Sequence, residues 1–536
     1  MPSCPQWCPS RGMGTTGEKG HEWGRPCGRI ATKDLAEGIG FRTTIQGELK
    51  PDENEGFMLF WEWEQLGPWS EENAIEITNP GKLLHPITKF KIWRDEKLQI
   101  FIETASSTLP KQDKDFIEAG TVYENNDFIE FTGFSKVTAK ASGIAILSTS
   151  TTCTNGETIT TQLSSIHTLE YFDDRPDDVE LTFDWIANID MRSYIWPGFT
   201  ADLVQKVSKR QFGRSNTLEL VDISDREGLS SHSIEINACG YRTIVGCTRN
   251  KEIEEKLKPG YILYRGNPDD LTRKKIREAL SFVLGFPIVH IGHAKFCKNN
   301  RRLQLSAREA YSMDGRAFNV HALPPAPICL KIVRMPESQV VEQMVNAYCD
   351  SYEELNLKSF SWNYWHAVTA PVHMAPAYFG ALIESMQENY IKKKGEKFNT
   401  RITSKAGYKE IRKLILNATK DIKLPADELE MLMDKLNQGN KISLKLKSER
   451  FFTEMGLTLG DLEKAAWQRR NDAAHGNQLH DGDYIALIRD TKLLKLILHR
   501  IILKRARISD NYVDYYSIGF PIREINDPVD VAFNEN

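Results

Sequence analysis

Apolar residues change their periodicity near residue 325 of this chain. Before that point they recur mainly at every second position. Phe90 and Ile92 alternate with lysines, Asp95 and Glu96 fit a turn, and Leu98, Ile100 and Ile102 alternate back, so a hairpin is predicted there. Val179, Leu181, Phe183 and Trp185 alternate again, as do Leu218 with Leu220 and Ile234 with Ile236. One helix interrupts the strands, with Asp270 as its cap, Ile276, Ala279, Leu280 and Val283 along it, and Gly285 and Pro287 ending it. From about 336 to 510 the spacing becomes i, i+3, i+4. Helices are expected over Val340 to Tyr352 and Tyr378 to Ile391, through Ile411, Leu414, Ile415 and Ala418, and from Pro425 through Leu429, Leu432 and Leu436. Thr458 and Asp461 have capping-box-like spacing ahead of Leu462, Ala466 and Trp467. A long helix then starts near Asp483, with Leu487, Ile488, Leu494, Leu498, Ile501 and Ile502 on its apolar side and Arg489, Lys492, Lys495 and Arg500 largely opposite.

These patterns predict an α+β multidomain protein with a mainly β N-terminal region followed by an all-α bundle. Residues 1–28, rich in Gly, Pro and Cys, read as a flexible segment. Residues 29–325 form the β region, with room for a division into two subdomains near 165–180. Residues 326–515 form the bundle, and 516–536 a C-terminal tail. Pro324, Pro325 and Pro327 read as a stiff linker between the halves.

Composition narrows the class. The hydrophobic set is 40% and charged residues 26%, as in an ordinary globular protein. No apolar run is long enough to span a membrane, since Lys495, His499 and Arg500 break the segment Leu493 to Leu503. The N-terminus is polar and lacks the apolar core of a signal peptide, and nine scattered cysteines suit a reducing cytoplasm. The net charge is only −4, but residues 391–510 carry 26 Lys and Arg against 16 Asp and Glu, an excess of ten positive charges. Lys392, Lys393 and Lys394 form one cluster, Lys441, Lys445 and Lys447 another, and Lys405 and Lys409 lie between them. Single lysines of this kind commonly decorate a solvated helix face; a whole region of one sign attracts a phosphate backbone. Two metal readings compete with bland ones. Cys4, Cys8, His21 and Cys27 lack a paired CxxC, and His290, His293 and Cys297 lie in an apolar stretch where packing or hydrogen bonding explains them. No metal or other cofactor is expected. The aromatic cluster Phe57, Phe60, Trp61, Trp63 and Trp69 reads as same-face sheet packing before it reads as a base-stacking platform.

The densest chemistry lies in Arg470-Asn471-Asp472-Ala473-Ala474-His475. A guanidinium binds phosphate through paired charge-assisted hydrogen bonds, and an imidazole exchanges protons near neutral pH. Asn471 can orient either group, and Gly476 is a helix stop. The bland alternative is a capped helix end with a solvent-facing arginine and histidine. Five residues along an ideal helix turn through about 500°, leaving the two side chains roughly 140° apart. One regular helix therefore does not present both groups together.

The Arg-polar-…-His arrangement, near the end of a late helix and followed by one more long helix, resembles the motif of HEPN-domain ribonucleases. The order of a mainly β region before such a bundle is similar to that of ApeA-type bacterial anti-phage proteins, with a weaker likeness around Arg277-Glu278-Ala279-Leu280-Ser281-Phe282. The resemblance implies an endoribonuclease with Arg470, Asn471 and His475 at its centre, working as a homodimer or higher even oligomer. It also implies RNA as substrate, with transfer RNA the family's analogy, and a phage-derived activator acting on the β region. Arg469, Lys392, Lys393, Lys394, Lys405, Lys409, Lys441, Lys445 and Lys447 would contact the RNA. The competing expectation is a non-catalytic bundle that only dimerises or docks a partner.

Overall fold

The computed structural model describes residues 76–95, 97–110, 128–132, 138–154, 157–173, 175, 177–189, 194–200, 207–212, 219–224, 230–247, 258–299, 301–329, 334–419, 422–474 and 483–529. In the N-terminal half the strands are β1 (Glu76–Asn79), β2 (Ile87–Arg94), β3 (Ile100–Ser106), β4 (Phe128–Thr132), β5 (Thr138–Ser142), β6 (Ala145–Thr154), β7 (Glu157–Ile166), β8 (Thr168–Phe172) and β9 (Leu181–Ile186). They continue with β10 (Gly198–Thr200), β11 (Val207–Phe212), β12 (Glu219–Ser224), β13 (Ser230–Ala238), β14 (Tyr241–Cys247), β15 (Gly260–Arg265), β16 (His290–Phe296) and β17 (Arg302–Arg308). Helix α1 (Asp270–Leu284) interrupts them. The protein is thus an α+β chain, mainly β first and helical afterwards.

Eleven strands make one sheet in the order β1-β4-β5-β8-β17-β16-β9-β15-β14-β13-β10, and β2-β3-β7-β6 form a second. The predicted hairpin is β2–β3, whose turn is organised by Asp95: its Oδ1 accepts from the amides of Lys97 and Gln99. Arg94 ties the two sheets together, donating to the carbonyls of Leu98, Ile291 and Arg308. The expected division near 165–180 does not appear, because β8 lies within that interval and pairs with both β5 and β17 of the large sheet. Strands β7, β8 and β9 follow one another in sequence without being sheet neighbours, so a gap in the pattern is no domain boundary. Helix α1 is capped one residue earlier than expected: Asp269, not Asp270, accepts from the Thr272 amide, and Gly285 closes the helix in the left-handed conformation.

The bundle contains α2 (Ser338–Asp350), α3 (Leu357–Val368), α4 (Ala375–Lys394), α5 (Lys405–Ala418), α6 (Ala426–Gln438), α7 (Leu444–Met455), α8 (Asp461–Ala474) and α9 (Asp483–Arg505). Its axis is α9. Leu493, Leu494, Leu496, Ile497, Leu498, His499, Arg500, Ile501, Ile502 and Leu503 are all buried, so the expected polar side facing solvent does not exist in this half. A helix apolar on nearly every side belongs in the centre. Arg500 is accommodated by a buried ion pair with Glu463 (2.7 Å), while its Nε donates to Ile525 O and its Nη2 to Thr458 O. Burial holds the Glu463 carboxyl above the usual range despite that guanidinium. The same carboxylate caps α8 by accepting from the Gly460 amide, which replaces the expected Thr458–Asp461 box. His499 is a core residue whose Nε2 meets the Tyr364 hydroxyl at 2.7 Å.

Neither the linker nor the described part of the tail, 516–529, is free. Pro324 O accepts from Tyr515 Oη and Pro325 O from the Val513 amide, and Ala326 and Ile328 are buried. Strands β18 (Asn511–Val513) and β19 (Ile522–Glu524) pair, and Ile525 and Val529 are buried. The halves share a core: Phe282 of α1 packs on Tyr348, Phe360, Tyr364 and His499. Helices α5 and α6 differ from the rest. No residue of α5 is buried and only Leu436 of α6 is, while Ile411, Leu414, Ile415, Leu429 and Met431 are exposed. This helical hairpin rises from a neck in which Ile402 N donates to Asn440 O and Ile442 N to Thr400 O. No helix among the described residues is long and apolar enough to cross a membrane.

Candidate functional site

Two helices position the arginine of the motif. Arg470 lies on α8 with its guanidinium carbon 3.7 Å from the centroid of the Trp467 ring, one turn earlier, and its Nη1 donates to Trp467 O at 2.5 Å. Its Nη2 and Nε both donate to Glu384 Oε1 of α4, at 2.6 and 3.2 Å. Gly380, one turn before Glu384, makes this possible: a Cβ there would stand 2.9 Å from Arg470 Cδ and 3.3 Å from its Cβ and Cγ. The side chain is 11% exposed, against 47% for Glu384. Arg470 is therefore not the solvent-facing residue of the bland reading. It is laid along a neighbouring helix with its charge partly neutralised.

Arg469 leaves the same helix in another direction and grips Asp490 of α9 in a two-pronged pair, Nε to Oδ2 at 2.8 Å and Nη2 to Oδ1 at 2.5 Å. Consecutive arginines thus bolt α8 to both of its neighbours. Residues 475–482, including His475 and Gly476, lie outside the described residues, as does the side chain of Asn471. Cys4, Cys8, His21, Cys27 and the aromatic cluster from Phe57 to Trp69 lie outside them too.

The lysines separate into two groups. Lys392, Lys393 and Lys394 end α4, eight or more residues beyond Glu384 and so about 12 Å along the helix axis from Arg470's partner. Lys445 and Lys447 lie on the adjoining α7. Much of this charge is engaged. Lys447 pairs with Glu388, Lys394 lies 3.5 Å from Glu454 and against the Tyr390 ring, and Lys393 donates to Glu354 O. Lys392 and Lys445 are exposed. Lys405 and Lys409 project from the α5–α6 hairpin and Lys441 stands at its neck, so they do not join the first group.

Among the described residues, no three His, Cys, Asp or Glu side chains group to hold a metal ion. His290 and His293 sit against Asp184 beneath α1.

Comparisons with family models, curated proteins and solved structures find no match.

The sequence reading missed Gly380, Glu384, Trp467 and Asp490 as the groups that hold the two arginines. One signal was present. Gly380, Glu384 and Glu388 recur at i, i+4 within a helical pattern, and a glycine interrupting such a pattern marks close packing.

Proposed function

We propose that the helical half is a metal-independent endoribonuclease of the cytoplasm. The RNA 2′-hydroxyl attacks the adjacent phosphorus, a new P–O bond forms and the bond to the 5′-oxygen breaks, leaving a 2′,3′-cyclic phosphate and a 5′-hydroxyl. His475 exchanges the protons, Arg470 stabilises the charge that builds on the phosphorane-like transition state, and Asn471 orients them. The observation that supports this most is the fixing of Arg470 by Trp467, Gly380 and Glu384. A guanidinium held in place before substrate arrives loses little entropy on binding a phosphate, and the half-exposed Glu384 is free to yield to it. The offset between Arg470 and His475 favours a site assembled across a two-fold axis from two chains. RNA would be drawn by Lys392, Lys393, Lys394, Lys445 and Lys447. Within this proposal the β half is a sensor, with phage infection as its cue and transfer RNA as a substrate class to try first.

The near-burial of Arg470 and its carboxylate partner favour a second reading, in which the arginine only cements α4 to α8 and the bundle acts as a scaffold. Incubation of the full chain with total RNA, followed by sequencing of the ends, separates the two. Catalysis predicts cyclic-phosphate ends, retention of activity in EDTA and a drop of about 10²–10⁴ in His475→Ala. It also predicts partial recovery when Arg470→Ala and His475→Ala protomers are mixed. Binding without cleavage, with or without phage extract, favours the scaffold.

A further inference from the structure

The face of the large sheet beneath α1 carries more positive charge than its carboxylates balance. Asp184 of β9 is fully buried and stands opposite His293 of β16, which in turn stands opposite Ser306 of β17. The Asp184 carboxylate receives Nη1 of Arg273 and Nη1 of Arg277 from α1, and the Tyr264 hydroxyl at 3.1 Å. Arg273 also pairs with Asp270. A bulge between His290 and Gly292 turns His290 onto this same face, its Nε2 3.5 Å from Asp184 Oδ1. The bulge requires glycine, since a Cβ at residue 292 would lie 2.4 Å from Ser306 O.

Two more cations lie on this face. Lys295 is two residues from His293 and Arg308 two residues from Ser306, so each shares its neighbour's side of the sheet. Both are half-buried, and among the described residues neither side chain has a hydrogen bond or ion pair. Four cationic side chains (Arg273, Arg277, Lys295 and Arg308) therefore share this face with Asp184 and Asp270 and, opposite Ser306 on β8, with the half-buried Glu170. Among the described residues, three buried nitrogens, His290 Nε2, His293 Nδ1 and Arg273 Nε, have no hydrogen-bond partner, the 3.5 Å approach of His290 Nε2 to Asp184 Oδ1 being an ion-pair distance only. Burial, reinforced by Arg277, pulls the His290 imidazole down to about 4, so near neutral pH it adds no charge. Burial lowers Arg308 as well, and Arg277 lowers it further. Unpaired donors and like charges held together in a half-buried place are costly unless something else supplies acceptors and negative charge.

We infer that this cluster is a receptor for a phosphate monoester dianion, seated between the Arg277 and Arg308 guanidiniums with His290 Nε2 beneath it. A monoester carries close to two negative charges at neutral pH and presents three oxygens to the two guanidiniums, whereas a phosphodiester carries one charge and presents two. Its oxygens accept from the free N–H groups of both arginines and from His290 as its Nε2–H tautomer. This assignment is independent of whether the helical half cleaves RNA. It gives the β half a small-molecule site of its own, and the shared chemistry is the terminal phosphate, whether free or on a nucleotide.

Isothermal titration of the full-length chain with inorganic phosphate, and separately with a nucleoside 5′-monophosphate, tests it at ionic strength fixed with chloride. Saturable binding of one equivalent is expected. Arg308→Gln should weaken it at least tenfold, because Arg308 has no internal partner to lose and its removal spares the fold. Lys295→Gln, at the other end of the cluster, should weaken it severalfold and serves as the second variant. Tighter binding of the nucleotide than of phosphate assigns the source to nucleotides, and equal binding assigns it to phosphate alone. No saturable binding of either probe at millimolar concentration overturns the inference, as does unchanged affinity in both variants.

Discussion

Replacing Gly380 by alanine tests the candidate site without touching its charged groups. The new methyl would lie 2.9 Å from Arg470 Cδ and 3.3 Å from Cβ and Cγ. Because three successive carbons are crowded, the arginine cannot escape by moving its tip and must swing away at its root, leaving the Trp467 ring and Glu384. The stability change is small because its parts oppose. Alanine gains about 1 kcal/mol over glycine inside a helix. The lost cation–π contact is worth about 0.5–2 kcal/mol. The pair with the half-exposed Glu384 adds under about 1 kcal/mol after solvent screening. A net change within about 2 kcal/mol in urea denaturation is expected. Cleavage of RNA, in contrast, should fall by about 10²–10³, the usual cost of removing one transition-state donor. Arg470→Ala should match it, and Glu384→Ala, which leaves the Trp467 contact in place, should lose less. Full cleavage by Gly380→Ala, beside an inactive Arg470→Ala, would refute the claim that this pose matters. A stability loss above about 3 kcal/mol would show that the helices cannot yield around the arginine.

Three further outcomes follow from the packing. Arg500→Met strands the Glu463 carboxylate in the core, and a loss of about 3–5 kcal/mol with an unchanged denaturant slope is expected; a loss below about 1 kcal/mol would mean that water reaches the pair. His290 is held neutral when folded, with its protonation lowered from 6.5 to about 4, so the unfolded chain binds the proton first as the medium is acidified. Its contribution is complete above pH 6.5 and is lost between 6.5 and 4, about 2 kcal/mol of it between pH 7 and pH 5. His290→Gln should flatten that part of the pH–stability curve, and an unchanged curve would count against the buried environment. Amide hydrogen exchange should be fast through 405–418, where nothing is buried, and slowest through 493–503. Equal protection of both stretches would mean that another surface covers the α5–α6 hairpin.

The sequence disclosed the kinds of elements better than their surroundings. Local chemistry was legible: the Asp95 turn and the Gly285 stop are decided by neighbours a few residues away. The cap of α1 was misplaced by one residue because Asp269 and Asp270 offer the same oxygens and only backbone geometry chooses between them. Burial on a second face was not legible. In β9 the alternation of Leu181, Phe183 and Trp185 marks one apolar face and says nothing of the other, where α1 leaves Asp184 wholly buried. Arg500 misled, since a charged residue on a long helix reads as surface until its partner, 37 positions earlier, is known. The candidate site was half legible. Its reactive residue types stood in one short run, but Glu384 lies 86 positions from Arg470, and no local pattern joins the two.

The proline segment between the halves has a practical consequence. Tyr515 and Val513, from the far end of the chain, donate to the carbonyls of Pro324 and Pro325, and Gly285 receives the Leu323 amide. Severing the chain after Pro325 would not liberate an intact helical module, because Tyr348, Phe360 and Tyr364 would lose Phe282 and meet water instead. A protease is thus a poor trigger for this molecule, and a fragment beginning at 326 is a poor object for expression. Any influence of the β half on the helical half passes through that shared packing, in an uncut chain.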